Sequence, residues 1–332
     1  MKNISALTHF SIALLLLAFV TSSTFAADDV KAWTDPATAR EEDPDFSVQG
    51  EYGENKTGAP LGVQVVALGD GNFDAYFLED GLPGLGWTKD KHRTRVGGKR
   101  SDGQVTFEGQ ELHAVIRDGR ISGSVGPERF DLPRLQRHSP TEGMTPPEGA
   151  VVLFDGTSSA GWKNGKVENR LLASTGTTSE KTFKDCTIHL EFRTPYQPHA
   201  RGQARGNSGV YYGGRWETQV LDSFGLDGKI NETGGIYSIA EPKLNMCLPP
   251  LTWQTYDVDF SAAKFDASGN RTAWPRITVK LNGVVVQENQ ELNKTHTTAA
   301  PVRGEIKDEG GPIFLQNHSN PVFFRNIWVV TK

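Results

Sequence analysis

The chain is cut at short intervals by turn pairs: Asp70-Gly71, Asp80-Gly81, Asp102-Gly103, Asp118-Gly119 and Asn282-Gly283. Both members of such a pair tolerate the positive φ angles of a tight hairpin, so each marks a strand reversal. Between them lie short alternating runs, such as Gly62 to Leu68, Asp74 to Leu78, Val105 to Phe107 and Leu112 to Ile116. Cys186 to Arg193, Trp253 to Phe260 and Ile277 to Gln287 continue the pattern, and nothing in this second half shows a convincing helical period. With 36 glycines and 18 prolines among 332 residues, the chain is predicted to be all-β.

The organisation follows from the punctuation. Residues 1–26 read as a signal peptide, with Lys2, the apolar run Ile12 to Val20, and Thr24-Phe25-Ala26 as the cleavage site. That run falls short of the roughly 20 residues a membrane span needs, so the expectation is an exported protein, periplasmic or secreted, without stable membrane insertion after cleavage. Residues 27–45 are polar and acidic and are expected to form an extended arm. Residues 46–133 form a small β-rich domain with no convergent acid, base or metal-ligand cluster. Pro140, Pro146 and Pro147 stiffen a linker over residues 134–148. Residues 149–332 supply enough short strands and long loops for a two-sheet sandwich of jelly-roll or lectin-like type. The net charge of −5 carries no basic stripe, which argues against a nucleic-acid partner. The two cysteines, Cys186 and Cys247, could pair after export, although Cys186 sits on the apolar face of its strand, where a buried thiol is common.

Chemistry concentrates in Arg205 to Gly225. Gly213-Gly214 separates two strands, and period-2 geometry puts Arg215, Glu217 and Gln219 on one face of the second. A parallel polar row, His189, Glu191 and Arg193, lies on another strand, and Gln316 to His318 ends a third. Asp222 falls on the opposite face from Glu217 by strict alternation, unless a bulge near Ser223 redirects it.

The motifs Leu153-Phe154-Asp155-Gly156, Arg205-Gly206-Asn207-Ser208-Gly209-Val210-Tyr211, Glu217-Thr218-Gln219-Val220-Leu221-Asp222-Ser223 and Trp253-Gln254-Thr255-Tyr256-Asp257 occur in that order. With Leu281-Asn282-Gly283-Val284, Leu315-Gln316-Asn317-His318 and Phe324-Arg325-Asn326-Ile327-Trp328, they make residues 148–332 resemble the 3-keto-disaccharide hydrolase family. The resemblance implies a concanavalin-like β-sandwich acting on glycosides oxidised to a ketone at C3. Such a ketone acidifies the C2 proton and lets the C1 oxygen leave by β-elimination, after which water adds to the 2-hydroxyglucal-type product. A base, donors for the enolate oxygen and an acid for the leaving oxygen are required. Glu217, Asp222 and His318 are the catalytic candidates. Arg215, Gln219 and Gln316 are candidates to bind the sugar, with Arg193 and Glu191 in reserve, and Tyr211 and Trp253 to stack on it. A divalent metal would suit such groups, although no spacing is diagnostic of one. A sugar 3-oxidoreductase is the expected functional partner, since something must make the ketone. The rival reading is a non-catalytic carbohydrate-binding or envelope adhesion module on the same sandwich.

Overall fold

A computed structural model describes residues 31–332; the signal peptide expected over residues 1–26 lies outside the described residues. The described chain forms one compact unit. Strands Gly50–Tyr52 through Glu128–Leu135 close into an eight-stranded antiparallel barrel, in which each strand pairs with its sequence neighbour and the last returns to the first. Asp70-Gly71, Asp102-Gly103 and Asp118-Gly119 all take positive φ and make two-residue hairpins. Asp80-Gly81 instead opens a longer connection to Arg93, whose Leu82 and Trp87 fold back onto the outer barrel wall beside Tyr76 and Leu78. Val63, Val65, Phe73, Phe77, Phe107, Ile116 and Ile121 fill the barrel interior, so it is a packed core rather than a channel.

The arm differs from the extended segment expected. Pro36–Glu42 and Pro44–Val48 are short helices, capped by Asp35 and Asp43, each with proline in the first turn. Asp35 accepts a 2.8 Å hydrogen bond from the Thr38 amide, which offsets the unpaired donors of the helix start. Trp33 exchanges backbone hydrogen bonds of 3.0 and 2.9 Å with Tyr196, and Trp33 and Phe46 pack on the Tyr196 ring.

The rest is a two-sheet sandwich. One sheet runs Trp162–Lys163, Thr177–Phe183, Gly311–Leu315, Ser208–Tyr212, Trp216–Val220; the other holds eight strands, with Phe323–Thr331, Cys186–Arg193 and Gln254–Ser261 at its centre. Alternation decides what each buries. Val210, Tyr212, Trp216 and Val220 face Ile188, Leu190, Phe192, Tyr256 and Val258 across the core, leaving the intervening residues on the two outer faces. Cys186 and Cys247 are free, buried thiols, Cys186 in this core and Cys247 beneath the barrel wall.

Barrel and sandwich are joined by buried polar contacts. Arg205 donates to Asp222 Oδ2 at 2.6 Å, to the Ala67 carbonyl at 3.1 Å and to Gln49 Oε1 at 3.3 Å. The linker adds a second seam, where Ser139 and Thr141 hydroxyls meet that of Thr255 at 2.6 and 2.8 Å. Asp222→Ala would leave the Arg205 guanidinium buried without its counter-charge. The expected loss is about 3–5 kcal/mol, read as a lower denaturation midpoint; an unchanged midpoint would mean that the pair does not hold the junction.

Candidate active site on the outer face of the five-stranded sheet

The site is organised around a missing side chain. Gly209 pairs with Gln219 on one neighbouring strand, and the Gln316 amide donates to the Gly209 carbonyl at 2.9 Å from the other. Asn207 and Tyr211 flank it along its own strand, and Tyr211 pairs with Glu217. Residues opposite one another in antiparallel strands share a face, so these side chains surround the same spot. A Cβ at Gly209 would lie 2.3 Å from Glu217 Oε1: the carboxyl occupies the hollow that the glycine leaves. Residues 234–237 extend the sheet past Trp216–Val220, the Tyr237 amide donating to the Glu217 carbonyl at 3.0 Å. Phe314, which pairs with Tyr211 on its other side, and Tyr237 are both half-buried, and they stand at either end of the row containing Glu217.

Glu217 is only 3% exposed, and among the described residues no cation pairs with it. Burial disfavours its ionised form and pushes its pKa up to about 7, against a hydrogen bond from Tyr211 that pulls the other way. The Tyr211 hydroxyl is held protonated by its own burial and by the neighbouring carboxyl, and it accepts a 3.1 Å hydrogen bond from Gln316 Nε2. A chain of contacts therefore runs from amide to phenol to carboxyl. A carboxyl that titrates near neutrality suits proton transfer to and from carbon or oxygen.

The predicted residues separate into groups. Glu217, Gln219, Gln316 and Tyr211 come together here. Tyr211 is fully buried, so its ring offers no open face on which a sugar could stack. His318 is exposed two residues past Gln316, on the loop that leaves the same sheet. Arg215 does not join them, because its guanidinium donates to the carbonyls of Gly304 and Glu305 at 2.9 and 3.0 Å and ties down the loop beside it. Asp222 is removed from the catalytic group by its ion pair with Arg205 at the barrel junction.

Glu191, Arg193 and Trp253 lie on the outer face of the other sheet, across the sandwich core from Glu217. There the His189 Nδ1 meets Asp257 at 2.7 Å, and Glu191 accepts from Arg325, Asn326 and the Gly143 amide at 2.6, 2.8 and 2.7 Å. Burial opposes the Glu191 charge, but the hydrogen bonds from His189, Asn326, Arg325 and Gly143 overcome it and hold the pKa near about 2. Arg193 and Arg325 sit over Trp253 at 4.8 and 4.0 Å from its ring, and Arg193 donates to the Thr34 carbonyl. This second polar row fastens the linker and arm to the sandwich, and its groups are spent on one another.

Several site residues were not singled out by sequence reasoning. Asn207 and Gly209 stood inside a quoted motif, but their role depends on which strands lie beside theirs. Gln203, in the turn Gly202–Ala204, and Tyr237, in a long loop, gave no periodic signal. Among the described residues no group of three or more His, Cys, Asp or Glu side chains is arranged to hold a metal ion. A cleft of about 1110 Å³ lies between the barrel and the sandwich loops, lined by Trp87, Lys89, His92, Arg93, Asp227 and Glu241, and includes none of the predicted residues.

Comparison with known proteins places the sandwich. A crystallised candidate glycosyl hydrolase of Parabacteroides distasonis is 30% identical, with a TM-score of 0.50 over 56% of this chain and 84% of that one. A second protein of the same organism and description is 21% identical, with a TM-score of 0.42 over 56% of this chain and 94% of its own. No curated protein matches the chain. The model of the 3-keto-alpha-glucoside-1,2-lyase-like domain matches residues 149–330, more than half of the chain. The chain therefore belongs to the 3-keto-alpha-glucoside-1,2-lyase-like family and is a carbohydrate-active enzyme.

Proposed function

We propose that this protein cleaves 3-keto-glycosides by β-elimination followed by hydration, with Glu217 as the base. The observation that carries the proposal is the buried Glu217 carboxyl, seated over Gly209 and titrating near about 7. Glu217 takes the C2 proton, and the electron pair of that bond moves into an enolate conjugated with the C3 oxygen. The enolate then collapses to form the C1–C2 double bond as the C1–oxygen bond breaks, and the departing oxygen takes up a proton. Water adds back across C1 and C2, so the sum is hydrolysis. An ordinary glycosidase instead sets two carboxylates either side of the bond. Among the described residues grouped around Gly209, Glu217 is the one carboxyl, which fits elimination better. His318, exposed at the strand end, is our candidate for the acid that protonates the leaving oxygen. Phe314 and Tyr237 are placed to pack against the sugar ring.

We further propose that the enzyme is exported to the periplasm or beyond, on the strength of the charged start, apolar run and small-residue site in residues 1–26. Its substrate would then come from a sugar 3-oxidoreductase acting on a disaccharide or glucoside.

Glu217→Gln should lower kcat on 3-keto-trehalose by about 10²–10⁴-fold, the range for loss of a general base. In the wild type kcat/KM should rise with pH through about 7 as the carboxyl ionises. Stability should move the opposite way. The folded pKa lies above the ordinary glutamate value of about 4.3, so the stability from the protonated carboxyl is complete below that value and lost as pH rises through about 7. Denaturation at pH 5 and pH 9 should show Glu217→Gln gaining on the wild type by up to about 3 kcal/mol at the higher pH. Wild-type turnover in Glu217→Gln would remove this residue from the mechanism.

Gly209→Ala tests position rather than presence. The added Cβ meets Glu217 alone, but its Cγ and Cδ as well as Oε1, so the buried side chain must shift as a whole and carry the carboxyl with it, at an expected cost of about 1–3 kcal/mol. A fall in kcat of about 10²-fold is expected for a base moved by about an ångström. Full activity in a folded Gly209→Ala protein would contradict the assigned geometry.

A further inference from the structure

Two of the three amide side chains around Gly209 are not free to turn either end toward a ligand. Asn207 Nδ2 donates to the Gln203 carbonyl at 2.8 Å and to Gln203 Oε1 at 3.2 Å. Gln219 Nε2 donates to the same Gln203 Oε1 at 3.0 Å and to the Asn231 carbonyl at 3.3 Å. Backbone carbonyls only accept, so the nitrogen of each amide must face them, and the orientation of both side chains follows. Gln203 is itself fixed, because its Nε2 donates to the Asn231 carbonyl at 2.9 Å. On the other flank Gln316 spends its Nε2 on the Tyr211 hydroxyl. Asn207 Oδ1, Gln219 Oε1 and Gln316 Oε1 are left buried without a donor among the described residues, on residues at most 8% exposed. Unpaired buried acceptors are rare in folded proteins. Three of them around one glycine and one carboxyl make an array that offers acceptors and lacks donors.

We infer that Gln203 is a positioning residue that locks this array, so that the face recognises its sugar through the hydroxyl groups that donate to it. The inference rests on reading this face as the sugar site, but it needs neither the ketone nor the elimination. It also predicts a chemical preference. A group that can only accept, such as fluorine or an ether oxygen, finds no partner where a hydroxyl would. The Gln203 side chain does this at a distance: it touches the two amides, while their oxygens meet the ligand.

The test is binding of methyl α-D-glucopyranoside and its monodeoxyfluoro analogues, measured by ligand-observed NMR with wild-type protein and with Gln203→Met. Fluorine keeps the size and weak accepting power of the hydroxyl and removes its donor. In the wild type at least one fluorinated position should bind about tenfold or more weakly than the parent, since a site built for a donor rejects the analogue that lacks it. In Gln203→Met, which keeps the length and loses the acceptor shared by the two amides, only the backbone carbonyls still orient them, and that discrimination should shrink to about threefold or less. A merely structural role for Gln203 would weaken parent and analogues alike and would overturn the inference. So would equal binding of the parent and every analogue by the wild type, or no binding of any of them. If Gln203→Met fails to fold, the wild-type series alone decides. Loss of the elimination chemistry with the fluorine preference intact would sink the proposed reaction and leave this inference standing; turnover without the preference would do the reverse.

Discussion

The site depends on one desolvated carboxyl held over one glycine. An ionised carboxylate without a cation or a set of backbone donors is costly to bury, so Glu217 shifts its pKa toward neutrality instead of finding a partner. Gly209 makes that placement sterically available, because any side chain there would collide with the carboxyl. The inner face of the same strands supplies the rigidity: Val210, Tyr212, Trp216 and Val220 are locked into the sandwich core, which fixes where their outward neighbours stand.

The two polar rows of the sandwich show how similar side chains can serve opposite ends. On the larger sheet, Glu191 accepts several hydrogen bonds and its charge is stabilised. The linker residues Ser139 to Met144 close over it, and the row becomes a fastener between the two halves of the chain. On the smaller sheet, Glu217 keeps a single phenolic contact and the amides beside it keep unpaired oxygens. A satisfied network holds structure together, whereas the unsatisfied one is the face we propose as the sugar site. The barrel enters this arrangement through Arg205 and Asp222, which anchor the strand entry a few residues before Gly209 and the exit just past Gln219.

Much of this was legible in the residues. Turn pairs and alternation led to the all-β class, and period-2 geometry put Glu217 and Gln219 on one face; Asp222 falls beyond the strand Trp216–Val220, where alternation no longer applies. The arm's helices also carry a sequence signal, since Asp35-Pro36 and Asp43-Pro44 are helix starts by capping and by proline at the first position. What alternation cannot supply is which sheet a strand joins. The row of His189, Glu191 and Arg193 looks like that of Arg215, Glu217 and Gln219 until strand order sends them to opposite outer faces. For the same reason Gly209 and Asn207 drew no attention: their importance comes from Gln316, Gln219 and Gln203, which are neighbours only in the folded chain.

The most direct measurement of the central claim is the titration of the Glu217 carboxyl itself, by ¹³C NMR of glutamate-labelled protein with Glu217→Gln to assign the resonance. The expected midpoint is about 7, set by burial over Gly209. A midpoint at the ordinary glutamate value of about 4.3 would mean that the carboxyl is solvated or paired, and would contradict the reading of this face as an acid–base site.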